Sequence, residues 1–226
     1  MEVIRQMEGL PLFQGVPAEK LKALAERALY RSYKAGETII GETDPVRAFY
    51  VVVTGLVKFY KISAEGKEQT LHLLGPGNPF GMCTAFAVDS FPANVMAIGE
   101  STILLIPGPV METTAMQEPR LLVNIIRVLS ERLKESMTLI ESLALKELPQ
   151  RLASFLVHTL QTGNGKSPDQ LELTVTQREL AKILGATPEA LSRTLRRLSD
   201  AGMLSVAGRS IRILDRQGLA GLAEGD

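Results

Sequence analysis

The chain has 226 residues, 45% of them hydrophobic and 22% charged, a globular composition of one or two domains and not a disordered one. Basic and acidic side chains balance at 25 each, yet residues 178–212 hold 7 basic against 3 acidic groups, so that segment by itself points to an anionic partner. One cysteine, Cys83, and two histidines, His72 and His158, exclude a disulfide within the chain, a four-thiolate iron–sulfur cluster built by one subunit, and a closed zinc site.

Met1 to Arg5 show no charged segment leading into an apolar stretch, so no signal peptide is expected. No apolar run approaches the roughly 18 residues that cross a bilayer, and a cytoplasmic protein without a membrane partner is the expectation. Residues 9–30 read as short helices, with Leu21, Leu24, Ala25, Ala28 and Leu29 at helical period after Pro17. From 36 to 108 nine glycines separate β-rich runs at 38–40, 48–53, 56–62, 69–74, 93–98 and 102–106. Short strands so spaced predict a sandwich or small barrel, with Ala64-Glu65-Gly66-Lys67 as a hairpin turn.

From 119 the period is helical. Leu122, Ile126, Leu129, Leu133, Met137, Ile140 and Ala144 are spaced 4, 3, 4, 4, 3, 4, a heptad stripe of about 37 Å at 1.5 Å per residue. Such a stripe can pack on its own barrel, but a seam this long and narrow predicts a second copy of the chain as partner. Pro149 interrupts the helix, Gln150 to Leu160 forms another, and 162–168 is a loop. A strand follows at 171–175, and two strands at 203–206 and 210–214 are joined by Ala207-Gly208-Arg209.

Between these strands, Thr176 to Leu198 has the spacing of a helix-turn-helix. Thr176 is placed to cap a first helix with Glu179 completing a capping box, and Thr187 to cap a second with Pro188 in its first turn. On the second helix Glu189, Ser192, Arg193 and Arg196 share about 100° of arc, and Leu191, Leu195 and Leu198 fall opposite. These side chains suit a major groove. Arginine pairs with guanine, glutamate accepts from cytosine, and serine contacts thymine. A solvated face with a Glu189–Arg193 ion pair is the bland alternative. The preceding capped helix and the following wing with Arg209 favour double-stranded DNA. The expected DNA-binding residues are therefore Thr176, Arg178, Thr187, Glu189, Ser192, Arg193, Arg196 and Arg209.

Here the chain resembles the CRP/FNR family of bacterial transcription regulators. The resemblance rests on Gly36-Glu37-Thr38-Ile39-Ile40, on Phe49 to Lys58, on Leu74-Gly75-Pro76-Gly77-Asn78-Pro79-Phe80-Gly81, and on the helix-turn-helix. It implies an α+β fold in three parts. These are a cyclic-nucleotide-binding-like β jelly roll for effector sensing (1–118), a dimerisation helix (119–147) and a winged helix-turn-helix (148–226). It also implies a homodimer, an effector and RNA polymerase as partner. The pattern Glu189-x-x-Ser192-Arg193 is similar to the FNR subgroup and implies a TTGA-like half-site mirrored as TCAA.

Where cyclic-AMP-binding members carry Glu-Leu and Arg-Ser, this chain has Met82-Cys83 and Pro92-Ala93. No guanidinium is then expected to pair a cyclic phosphate, and cyclic AMP is not the expected effector. The expected pocket is apolar, lined by His72, Phe80, Met82, Cys83, Phe86 and Val95. Phe80-Gly81-Met82-Cys83 resembles the haem loop of carbon-monoxide-sensing members. The stretch 67–106 is similar to regulators of hybrid cluster protein and of dissimilatory nitrate respiration, subgroups associated with haem and nitrosative stress. This makes haem a candidate cofactor and His72 and Cys83 its candidate iron ligands, while the bland reading of Cys83 is a small buried hydrophobe and that of His72 and His158 a surface residue. Two further classes stay open. An enzyme with Cys83 as nucleophile would need His72 as base, and a cyclic-nucleotide-gated module would not need the helix-turn-helix.

Overall fold

The computed structural model describes residue 4 and residues 7–45, 47–86, 90–161 and 169–225. The loop expected at 162–168 lies outside them. The chain divides into two compact units, one of residues 1–63 and 71–135, the other of residues 64–70 and 136–226. The fold is mixed α+β, with an N-terminal β domain, a long helix and a C-terminal helix-turn-helix.

In the first unit a helical turn at Pro11–Phe13 and helix α1 (Ala18–Ala25) precede the strands. These are β1 (Leu29–Tyr33), β2 (Thr38–Ile40), β3 (Ala48–Thr54), β4 (Val57–Ile62), β5 (Glu68–Leu74, of which residues 68–70 count with the second unit) and β6 (Pro79–Phe80). A short helix α2 (Met82–Phe86), strands β7 (Asn94–Ala97) and β8 (Ser101–Pro107), and helix α3 (Gly108–Gln117) follow. Two four-stranded antiparallel sheets result, ordered β1-β8-β3-β6 and β2-β7-β4-β5. Between them lies one core cluster: Ile40, Val57, Leu74 and Val95 from one sheet meet Tyr50, Val52 and Ile103 from the other. Phe49, Val51, Leu104 and Ile106 face the opposite way, into a second cluster with Leu12, Phe13, Leu21, Leu24 and Met111. The β3/β8 pair is thus covered on both faces, which is why Ala48 to Val52 is buried without alternation.

The helical reading of 9–30 fails at its end. The chain leaves the helix at Glu26, and Leu29 pairs with Leu105 as the first residue of β1. Leu29 and Ala28 prolong the helical spacing by coincidence, and the long-range pairing decides. Pro17 stands at the helix N-terminus as expected, immediately before Ala18.

Helix α4 (Pro119–Leu145) runs unbroken for 27 residues, about 40 Å. It has two apolar faces. Leu121 and Ile125 are buried in the first unit's second cluster, with Val128 packed against it. Asn124, also buried, donates to the carbonyls of Leu12 (2.8 Å) and Gln14 (3.0 Å) and ties the helix to the N-terminal segment. Asn124→Ala removes both bonds at a buried site and should lower the unfolding free energy by about 1–3 kcal/mol in urea titration. The seven stripe residues from Leu122 to Ala144 are all exposed.

The second unit carries α5 (Leu148–Gln161), β9 (Gln170–Glu172), α6 (Gln177–Ile183), α7 (Pro188–Asp200), β10 (Leu204–Ala207), β11 (Ser210–Ile213) and α8 (Arg216–Glu224). Its three strands form one antiparallel sheet, β10-β11-β9. The strand expected at 171–175 is shorter and starts one residue earlier. Among the described residues no helix is long and apolar enough to cross a membrane.

Candidate nucleic-acid interface and effector cavity

Helix α6 starts at Thr176, whose hydroxyl accepts from Glu179 N–H at 3.2 Å. It stops at Gly185, with φ of +64°. Gly185 N–H donates to Lys182 O at 3.4 Å and Ala186 N–H to Ala181 O at 2.9 Å. This paired closure needs a left-handed residue. A Cβ at Gly185 would also stand 2.8 Å from Leu143 Cδ2. Gly185→Ala therefore combines backbone strain with a close contact, and its midpoint in thermal unfolding should fall by several degrees, for a cost of at least about 1 kcal/mol.

Helix α7 starts at Thr187, which accepts from Ala190 N–H at 3.2 Å, with Pro188 in the first turn. Leu191, Thr194, Leu195 and Leu198 are buried. Glu189, Ser192, Arg193 and Arg196 are exposed on the other side. Glu189's own backbone N–H and the Thr187 hydroxyl hold its carboxyl below the usual range, helped by Arg193 and Arg178. It is an anion at neutral pH, able to accept but not to donate. Thr176, Arg178, Thr187 and the turn residue Arg209 are exposed as well. All eight residues expected to meet DNA are thus free of the unit's core. Arg212, which alternates outward on β11, was not anticipated.

The carboxylate of Glu179 is used differently from the capping-box expectation. It accepts from the Thr70 hydroxyl at 2.8 Å, and Lys182 lies 3.5 Å away. Lys182 also donates to Glu68 at 2.7 Å, and Gln69 donates to Ile183 O at 3.2 Å. Residues 68–70 thereby belong to the same compact unit as α6.

The first unit holds a cavity of about 190 Å³. Phe59, Leu74, Phe80, Met82, Phe91 and Pro92 supply most of its apolar wall, with Pro79, Gly81, His72 and Cys83 beside them. Helix α4 contributes Leu129 and Arg132 to the lining. Phe80 is fixed between aromatic neighbours, stacked on Tyr50 (4.9 Å, 9°) and edge-on to Phe59 (5.4 Å, 89°). Gly81, at φ +83°, lets the chain turn from β6 into α2. A Cβ there would meet Ala48 O at 2.6 Å.

Four of the six expected pocket residues line this cavity: His72, Phe80, Met82 and Cys83. Phe86 and Val95 do not. Phe86 packs edge-on to Phe49 in the helix-covered cluster, and Val95 is fully buried between the sheets. Strand alternation identifies an inward side chain but not whether space remains beside it. A guanidinium that the sequence reading did not place here also lines the cavity: Arg132 reaches it from α4, outside the stretch where the resemblance would put a phosphate-binding arginine. It donates to Asn78 Oδ1 and to Glu135 Oε2, each at 2.6 Å. A sequence signal for it exists. Leu121, Ile125, Val128 and Arg132 are spaced 4, 3, 4, a second face of the helix that turns inward.

His72 is 22% exposed, with Nδ1 at 3.6 Å from Glu135 Oε2. Burial first, then the Arg132 charge, pushes its pKa down against the pull of Glu135, so it is neutral at neutral pH. Cys83 is exposed and not the buried hydrophobe of the bland reading. Partial desolvation still pushes its thiol pKa up, which disfavours the thiolate a nucleophile requires. Among the described residues no three metal-binding side chains cluster. His158 is exposed.

A β domain with an apolar cavity, followed in the chain by a long helix and a capped helix-turn-helix with its wing, has the architecture of a DNA-binding protein. Residues 30–118 match the cyclic nucleotide-binding domain and residues 150–222 the Crp-like helix-turn-helix domain. The fumarate and nitrate reduction regulatory protein of Vibrio cholerae is 31% identical over 209 residues, 91% of this chain and 82% of that protein. The CRP-like cAMP-activated global transcriptional regulator of Mycobacterium tuberculosis is 25% identical over 211 residues, 92% and 94% of the two chains. The structure of FixK2 from Bradyrhizobium japonicum superposes with a TM-score of 0.75 at 28% identity, covering 86% of this chain and 96% of that one. The chain belongs to the CRP/FNR family and is a DNA-binding transcription regulator of that type.

Proposed function

We propose that the chain acts as a homodimer whose two α7 helices read a two-fold palindrome, and that the first unit's cavity holds a small effector controlling this binding. The observation that carries the reading is the exposed set Glu189, Ser192, Arg193 and Arg196 opposite the buried leucines of α7. A two-fold dimer places half-sites one helical turn apart, about 34–36 Å. The Glu189-x-x-Ser192-Arg193 pattern supports TTGA and TCAA as the half-sites. RNA polymerase is the protein partner this role calls for.

Of the two effectors raised by the family, neither matches the cavity. His72 and Cys83 both line it, so the donor set suits haem iron. The pocket beside them is small, about 190 Å³ and partly open to solvent, which favours a compact ligand over a porphyrin. A cyclic nucleotide is disfavoured on other grounds, since Pro92-Ala93 supplies no guanidinium for its phosphate. The reading therefore takes a compact effector other than these two.

Mobility shift with a TTGA/TCAA palindrome and a scrambled duplex of equal length tests the DNA reading. Equal affinity for both would defeat it. Haem addition should produce no Soret band from a protein–haem complex, and a stoichiometric band would restore haem sensing.

A further inference from the structure

We propose that the effector is a monoanionic carboxylate carrying a single ring or an apolar group of that size, and that its carboxylate binds Arg132 in place of Glu135. This rests on reading the cavity as the effector site and names the chemistry it accepts.

Size comes first. An apolar cavity of about 150 Å³ holds benzene, and this one measures about 190 Å³. The site is also partly open to solvent, so a ring can sit against the apolar wall while a carboxylate lies beside Arg132. The wall suits a ring. Phe59, Phe80 and Phe91 line the cavity, with Phe59 centred 5.4 Å from Phe80 and 5.7 Å from Phe91. A planar group entering there meets ring faces and edges at usual aromatic geometry.

Charge comes second. The cavity is lined almost entirely by apolar atoms, and among the described residues that line it Arg132 is the one permanent cation. His72 beside it is held neutral by burial and by that same guanidinium. A planar fork of donors matches a carboxylate in two parallel hydrogen bonds. A dianionic phosphate would leave a second charge uncompensated against apolar walls.

The exchange comes third. Arg132 is 20% exposed and its partner Glu135 is 52% exposed. Glu135 lies one turn along α4 and can swing into water without leaving a buried charge. Asn78 holds the guanidinium from the barrel side at 2.6 Å, so Arg132 keeps its position during the exchange. The ligand would then bridge the barrel and α4. Leu129, which also lines the cavity, is 46% exposed and belongs to the outward stripe, so occupancy reaches the proposed dimer seam through one side chain.

The test follows thermal unfolding of the full-length protein with benzoate, phenylacetate and hexanoate, with benzyl alcohol as a neutral analogue. At least one carboxylate should raise the midpoint saturably, and benzyl alcohol should not. Arg132→Gln should weaken that carboxylate roughly 10- to 100-fold, the range for losing a charge-assisted hydrogen bond. Glu135→Gln removes the competitor and should tighten it, a change of opposite sign that a folding defect cannot mimic. No stabilisation by any of the three carboxylates, or equal binding of benzyl alcohol with Arg132→Gln without effect, would overturn the proposal. Palindrome binding by the same preparation separates the two readings. Intact DNA binding with no carboxylate response sinks only this inference.

Discussion

Leu133→Asp together with Met137→Asp should convert the protein to a monomer and abolish measurable operator binding at concentrations that saturate the parent. Both side chains are largely exposed in the isolated chain, 64% and 63%, so the substitutions leave the core of either unit untouched. In a two-fold seam each position occurs twice. Four apolar side chains are lost from burial at about 1.5–3 kcal/mol each, a total of about 6–12 kcal/mol. Burying four carboxylates adds to that. Such a loss weakens association by at least about 10⁴-fold, at 1.4 kcal/mol per factor of ten. Sedimentation shows the outcome directly. A doubly substituted chain that remained dimeric would place the interface elsewhere. Leu129 is a less clean target, because it also lines the cavity.

Arg193→Ala should cost roughly 1–3 kcal/mol of operator binding and relax preference at the guanine alone. The side chain stands on the exposed face of α7, one residue beyond Ser192 and one turn beyond Glu189. Arg209→Ala is the contrasting variant. Arg209 lies in the turn between β10 and β11, where a phosphate contact positions without specifying. Its loss should weaken all duplexes about equally and reduce the salt slope by about one ion. Titrations of both variants against the palindrome and a guanine-substituted duplex, at several salt concentrations, distinguish the roles. If Arg193→Ala lost affinity equally for both duplexes, another residue would be the base reader and α7 would lie in a different register.

The helix-turn-helix was the part most legible in the sequence, because its signals are local. Thr176, Thr187, Pro188 and Gly185 each act within one helical turn of themselves, through caps and a left-handed closure that require those residue types. Helical periodicity then separates Glu189, Ser192, Arg193 and Arg196 from Leu191, Leu195 and Leu198 whatever surrounds the helix. The outward stripe of α4 and most strand positions are legible for the same reason.

The cavity was legible only in part. Phe80, Met82 and Cys83 follow one another along the chain, and His72 is on a strand next to them in the expected barrel. Phe59, Phe91 and Arg132 are 32 and 41 residues apart in succession, and only packing brings them together. Phe86 and Val95 are the converse: they sit where the sequence expects lining residues, yet each fills a close-packed core and leaves no space beside it. Leu29 belongs to the same class, since its pairing with Leu105 outweighs a helical spacing it merely continues.

What the sequence by itself determined is therefore which elements form, which face of α7 is polar, and that two kinds of domain are joined by a long amphipathic helix. These follow from periodicity and capping, which act over a few residues. The tertiary structure decided where empty space remains in the barrel and which charge is turned toward it. Arg132 reads as one more surface arginine until the inward face of α4 is packed against the sheets. Only then does a guanidinium stand at the edge of an apolar cavity, because burial and cavity shape depend on contacts between segments far apart in the chain.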